Sequence, residues 1–375
     1  MLVGCASRQL GHVPEKLPVM PQEGHVETLP HAGPHWVFVY DDSFSPVGQI
    51  LIVDGDAQRV VGIIASGFMP AFAQAPDTSA YFLAETYWSR GSRGQRTDVI
   101  TSYDATTLKP NREIPLPEGR FLIAKRSTLQ FSGNGRFLLS ANATPATSVS
   151  MIDLSTGARF GPISTPGCTL LLPHGPASVS SICGNGSFMT LNVHDDGTVE
   201  KLRGKPFFDP DRDPLFDEWA LSRSDRRALF ISYHGWLYPI SLTDALPHLE
   251  ADPWPLASEP ERAQGWRPGG SQPVAYHAPS HRAFVLMHCG AEWTQFEAGT
   301  EVWVFDTQSH RRIERVHLST PAEGLAVTAD DSPLLFTVNG TSRLTTYRER
   351  QGHWQHEGDL NEIGTGSSLL FVPER

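Results

Sequence analysis

One pattern recurs along most of this chain and limits what it can become. A short apolar strand ends in Asp or a polar substitute, a tight polar turn follows, and a second strand returns. Residues 149–163 show it plainly: Val149, Met151 and Ile152 are apolar, Asp153 ends the run, and Ser155-Thr156-Gly157 supplies the turn. Just upstream, Phe131-Ser132-Gly133-Asn134-Gly135-Arg136-Phe137 reads as another hairpin, so the two make one unit of about four short strands.

The strand–Asp–turn–strand piece is read at 50–64, 99–116, 149–163, 188–202, 237–249, 302–318 and 344–360. A leading strand precedes each, at 36–40, 71–86, 129–142, 170–183, 219–233, 274–288 and 325–338. Seven copies about 40–50 residues apart have the period of propeller blades. A lone four-stranded sheet cannot bury both faces, whereas sheets packed face to face around an axis can, and they leave only short edges. The expected fold is therefore all-β: a seven-bladed β-propeller over residues 35–375, behind an N-terminal arm at 1–34 rich in Pro, Gly and His. Residues 368–372 (SLLFV) have no strand partners of their own and are expected to pair with the N-terminal blade and close the ring. A pair of stacked β-sandwiches fits less well, because the period persists without a linker.

Composition agrees. With 33 Gly and 30 Pro in 375 residues and only 19% charged residues, the balance favours many turns over long helices. The only helix candidate is a weak one at 259–264. Two stretches break the rhythm and are read as long loops: the basic, Gly-containing 87–98 and the Trp/Pro-rich 252–270. A net charge of −11 argues against nucleic-acid binding, which needs a basic face. No run of 18 apolar residues predicts a membrane-spanning helix. At the N-terminus, Leu2-Val3-Gly4-Cys5 resembles a bacterial lipobox, but the charged and apolar regions that should precede it are missing. Lipidation at Cys5 and a chance match both stay open.

The search for chemistry finds little. There is no G-x-S-x-G, no H-E-x-x-H and no Gly-rich loop opening a helix. Gly133-Asn134-Gly135 and Gly184-Asn185-Gly186 read as hairpin turns, and Asp195-Asp196 and Asp330-Asp331 as solvated turn residues. His31 and His35 sit in the arm without a third ligand, His288-Cys289 lacks a partner pair, and no metal site is expected. Cys168 and Cys183, 15 residues apart, flank a strand–turn–strand stretch; spacing alone does not decide between a bridge and free thiols. The informative residues are loop aromatics and nearby arginines. Phe44 sits in a polar turn, and Trp88, Trp254 and Trp266 sit in the two long loops. Arg90, Arg93, Arg96 and Arg267 lie beside them, a composition common at binding surfaces.

Ser89-Arg90 with Arg93-Gly94-Gln95-Arg96-Thr97-Asp98-Val99, and Gly265-Trp266-Arg267-Pro268-Gly269-Gly270, resemble the large (heavy) subunit of the quinoprotein amine dehydrogenases, the methylamine and aromatic amine dehydrogenases. The likeness spans nearly the whole chain after the arm. Four further strings look closer to the aromatic amine enzyme: Ala143-Thr144-Pro145-Ala146-Thr147-Ser148, Ile182-Cys183-Gly184-Asn185-Gly186, Asp213-Pro214-Leu215-Phe216 and Phe230-Ile231-Ser232-Tyr233.

The resemblance implies a seven-bladed propeller that binds no cofactor itself. It implies a periplasmic complex of two large and two small subunits. The small, disulfide-rich subunit carries tryptophan tryptophylquinone, oxidises a primary amine to aldehyde and ammonia, and passes electrons to a blue-copper protein, azurin or amicyanin. It also implies that Phe44 lines the substrate channel, that Cys168 and Cys183 form a disulfide, and that the catalytic base and quinone tryptophans lie on the other chain. Trp88, Arg90, Arg93, Arg96, Trp266 and Arg267 are expected at the small-subunit interface. Cys289, for which the family offers no partner, and the lipobox-like start are departures. The rival reading is a non-catalytic, membrane-anchored propeller module that has lost its quinone partner.

Overall fold

The computed structural model describes residues 27–41, 47–194 and 196–373. It contains seven antiparallel sheets of four or five strands, arranged as a propeller. Chain order within each sheet runs from the axis outward, as in Cys168–His174, Ser178–Cys183, Phe188–Val193 and Val199–Arg203 of the fourth blade. The first blade differs, as the sequence predicts. Its inner strand is the chain's last, Ser367–Phe371, which pairs with Trp36–Asp41 so that Phe38 faces Phe371, Val39 faces Leu370 and Tyr40 faces Leu369. Gln272 of the sixth blade reinforces this closure. Its amide donates to the carbonyls of Leu325 and Leu370 at 2.9 and 3.0 Å, and its Oε1 accepts from Leu370 N–H at 2.8 Å.

The core is distributed around the ring. Each pair of neighbouring blades, the last and first included, encloses its own apolar cluster. Between the first and second blades, for example, Phe38, Phe72 and Tyr81 meet with ring centroids 5.0–5.7 Å apart. Inner and second strands are thus covered on both faces, so Trp36–Asp41 is buried at every position and does not alternate. The outer strand Arg159–Ser164 is mostly exposed.

The recurring Asp has a structural cause. Asp54, Asp104, Asp153 and Asp306 each end a third strand, and the carboxylate accepts the backbone N–H groups two and three residues on. The tight turn into the outer strand is made this way. The Gly-Asn-Gly stretches are hairpin turns as expected: Asn134 and Asn185 accept from Arg136 and Ser187 N–H, and Gly135 and Gly186 take the left-handed conformation.

Some expectations need correction. Residues 87–98 are no loop: the second blade's Ala80–Arg90 and Arg93–Asp104 run as one long hairpin, with Trp88 opposite Arg96 and Arg90 opposite Arg93. Within 252–270 lie two short strands and one helical turn, Glu259–Ala263, started by a capping box of Ser258 and Glu261. Asp330 is not solvated. It is buried, and its carboxylate takes Ser332 N–H at 2.9 Å and lies 3.2 Å from His35 Nε2, while Asp56 lies 2.7 Å from His35 Nδ1. The end of the arm is therefore pinned between the first and last blades.

Candidate functional site

Because every blade is an up-and-down antiparallel sheet, its turns segregate. Second-to-third-strand turns and the links between blades leave on one face, here termed the linker face. First-to-second and third-to-fourth turns, including the Asp turns, leave on the other. All the candidate interface residues from the sequence fall on the linker face. The strand Trp36–Asp41 ends on this face; Phe44 and Cys5 lie outside the described residues.

The hairpin tip carries Arg90 and Arg93, both exposed, with Trp88 half-buried and the Arg96 guanidinium 5.9 Å from its ring centroid. Arg96 serves two purposes. It donates through Nε to Asp98 at 3.0 Å and through a terminal nitrogen to the Arg120 carbonyl at 3.0 Å. Beneath it, Arg120 is almost wholly buried. Its Nε donates to Thr86 Oγ1 at 2.8 Å, and one terminal nitrogen donates to the carbonyls of Phe68 and Met69 at 2.6 Å each. Burial brings its pKa down to about 10, leaving it charged at neutral pH. Asp98 compensates by accepting Arg120 N–H and the Thr86 hydroxyl as well. A second buried group, Glu85, accepts from Thr101 at 2.5 Å, Tyr103 at 3.0 Å and Gly67 N–H at 3.3 Å. Burial raises its pKa despite these bonds, and its proximity helps raise those of Tyr87 and Tyr103.

The other half of the face is built from the fifth and sixth blades. Trp266 is half-buried, packed 5.3 Å from Trp303, with the Arg315 guanidinium 4.6 Å from its ring centroid. Glu301 binds Arg315 through both oxygens and accepts Trp303 Nε1–H, so this network anchors the 252–270 segment to its blade. Arg267 is half-buried, with Nε donating to Gly265 O. Trp254 is buried, stacked on His310 at 5.1 Å, and is thus a core residue. Sequence reasoning missed the most exposed aromatics here, Trp293 and Phe296, 56% and 68% exposed on the turn between Arg282–Cys289 and Gly299–Asp306. Two large aromatics within four residues of a Gly-flanked turn were the available signal.

Cys168 and Cys183 stand opposite each other at the linker-face end of the fourth blade and form a disulfide. Cys289 is a free, exposed cysteine whose Sγ lies 2.9 Å from Gln264 O. Among the described residues, no three His, Cys, Asp or Glu converge to hold a metal ion. On the axis, Arg126 and Glu218 bridge the third and fifth blades at 2.7 Å, with Lys125 and Asp217 beside them at 2.6 Å. The linker face therefore offers aromatic, cationic and backbone groups suited to holding another surface.

Comparison with known proteins bears on what that surface is. The family described as "Methylamine dehydrogenase heavy chain (MADH)" matches residues 34–372. The methylamine dehydrogenase heavy chain of Methylorubrum extorquens is 29% identical over 347 residues, covering 90% of this chain and 82% of that protein. That of Methylophilus methylotrophus is 26% identical over 377 residues, covering 100% and 92%. Among solved structures, a functionally unknown protein from Desulfotomaculum acetoxidans aligns with a TM-score of 0.63 at 11% identity, covering 91% of this chain and 99% of that one. A dihydro-heme d1 dehydrogenase aligns with a TM-score of 0.57 at 17% identity, covering 95% and 78%. These two likenesses concern the fold alone.

Proposed function

The chain belongs to the methylamine dehydrogenase heavy chain family, and from that premise we propose that it is the large, non-cofactor-bearing subunit of a periplasmic amine dehydrogenase. On this reading a small subunit carrying tryptophan tryptophylquinone docks on the linker face, in a complex of two large and two small subunits. The complex converts a primary amine to aldehyde and ammonia and passes electrons to an azurin- or amicyanin-like blue-copper protein. When bound, the quinone supplies the electron sink. This chain's part is to hold the small subunit and to wall the amine channel through Phe44.

The observation that carries the reading is the family match over residues 34–372. The clustering of the hairpin tip, the 252–270 segment and Trp293 with Phe296 on one face supports it. The Cys168–Cys183 bridge supports an oxidising compartment, and Cys5 is the residue a lipid anchor would use. The substrate proposed is a primary amine; four strings look closer to the aromatic amine enzyme, whereas the relatives compared are named for methylamine.

The test is to purify the chain from its native cell with whatever accompanies it and record its visible spectrum. A co-purifying small subunit and a visible band bleached by a primary amine are expected. A colourless preparation inert to amines would overturn the proposal and favour the anchored binding module.

A further inference from the structure

The geometry points to a second binding site, on the face opposite the linker face, and we propose that it takes a small organic monocarboxylate. The first-to-second-strand turns of the third, fourth and fifth blades, with Leu242, line a solvent-open cavity of about 510 Å³ there. Its walls are largely apolar, with Pro173 and Pro176 on one side and Leu221 and Leu242 on the other. None of its described lining residues is Asp or Glu, in a chain of net charge −11, yet Arg226 lines it.

Arg226 is the residue that makes this a site. One terminal nitrogen donates to the carbonyls of Leu242 at 3.1 Å and Thr243 at 2.7 Å. Its backbone is fixed in the left-handed region (φ 52°) and accepts Leu242 N–H at 2.8 Å. Arg226 is exposed; its guanidinium is held at the cavity rim by these neutral acceptors, and among the described residues no carboxylate pairs with it. Nε and the other terminal nitrogen are left for an anionic acceptor, where a charge-assisted bond is the stronger kind. Arg223 reaches Gln130 Oε1 at 3.3 Å from the same turn.

The cavity floor sets the ligand class. His174 is buried and bonded through Nε2 to Ser180 Oγ at 2.8 Å, which in turn meets Thr190 Oγ1 at 2.6 Å. Burial, with Arg226 adding to it, takes the His174 pKa down to about 4, so the ring is neutral at pH 7. A neutral floor and proline and leucine walls favour an anion with a hydrocarbon body. A hydrated phosphate would lose solvation there without compensating bonds.

The test is isothermal titration of the full chain with benzoate, butyrate and inorganic phosphate. Saturable binding of benzoate or butyrate is expected, weakened about tenfold or more in Arg226→Gln, as the loss of one charged hydrogen bond requires. Leu221→Asp, which places a like charge on the wall, should weaken it comparably and serves if Arg226→Gln does not fold. The exposed Arg212→Gln should leave affinity unchanged. No saturable carboxylate binding, undiminished binding in both site variants, or phosphate binding in preference to both carboxylates would overturn the proposal.

Discussion

Arg120 and Asp98 show how much of the linker face rests on single residues. Asp98 pairs with Arg96, accepts bonds from Thr86 and the Arg120 backbone, and its nearby charge offsets that of the almost completely buried Arg120 guanidinium, which it does not bond directly. Removing it strands that charge. Asp98→Ala should therefore destabilise the chain by about 3–5 kcal/mol, the usual cost of orphaning a buried ion, read from urea unfolding midpoints. Arg120→Met combined with Asp98→Ala should restore part of the loss; if it restores none, the pairing account is wrong. Phe44 makes a different kind of claim. Phe44→Ala should leave the unfolding midpoint unchanged and shift the ratio of kcat/KM values between small and bulky amines. Identical ratios in variant and parent would remove Phe44 from the channel.

At the scale of elements, the Asp turns make stability depend on pH with a definite sign. Backbone and hydroxyl groups of Thr106 and Thr107 hold the Asp104 pKa at about 2, below its ordinary 3.8, and Ser155 and Arg136 lower that of Asp153 too. A carboxyl with a lowered folded-state pKa contributes stability above the unfolded value, and that contribution fades as pH falls toward the folded one. Between pH 5 and pH 3 the parent should lose more stability than Asp104→Asn does, measured as the change in urea midpoint. An equal loss in both would show that this turn does not titrate with folding. The disulfide closes a 15-residue separation, worth roughly 3 kcal/mol in the chain-entropy model. Reduction, confirmed by mass spectrometry, should lower the melting temperature by several degrees, and an unchanged curve would contradict that estimate.

The same scale shows what was legible in the sequence. Blade count and the closing strand, read at 368–372 and found at 367–371, were visible because they follow period and turn chemistry, and the helical turn at 259–263 showed as a weak candidate at 259–264. The disulfide came through family resemblance, since spacing left it open. The 87–98 stretch misled because Arg, Ser and Gly read as loop, whereas a hairpin projecting beyond its blade has no core to face and needs no apolar alternation. Trp254 and Asp330 misled for a shared reason. Their burial is set by His310 and His35, 56 and 295 residues away, and local sequence cannot see such partners.

The whole molecule is a ring with an apolar cluster between each pair of neighbouring blades and with its ends joined by one antiparallel pairing and the Gln272 amide. Such a ring presents two chemically distinct faces. One gathers long turns, exposed aromatics and the arginine-tipped hairpin; the other gathers Asp turns and the Arg226 cavity. Hydrogen exchange of the chain, free and in complex with its small subunit, tests the division directly. The account predicts slowed exchange at 42–47, 88–96 and 290–298 on complex formation, with the Asp turns unchanged. Protection confined to the Asp turns and the Arg226 cavity, with the linker face exchanging as in the free chain, would contradict it.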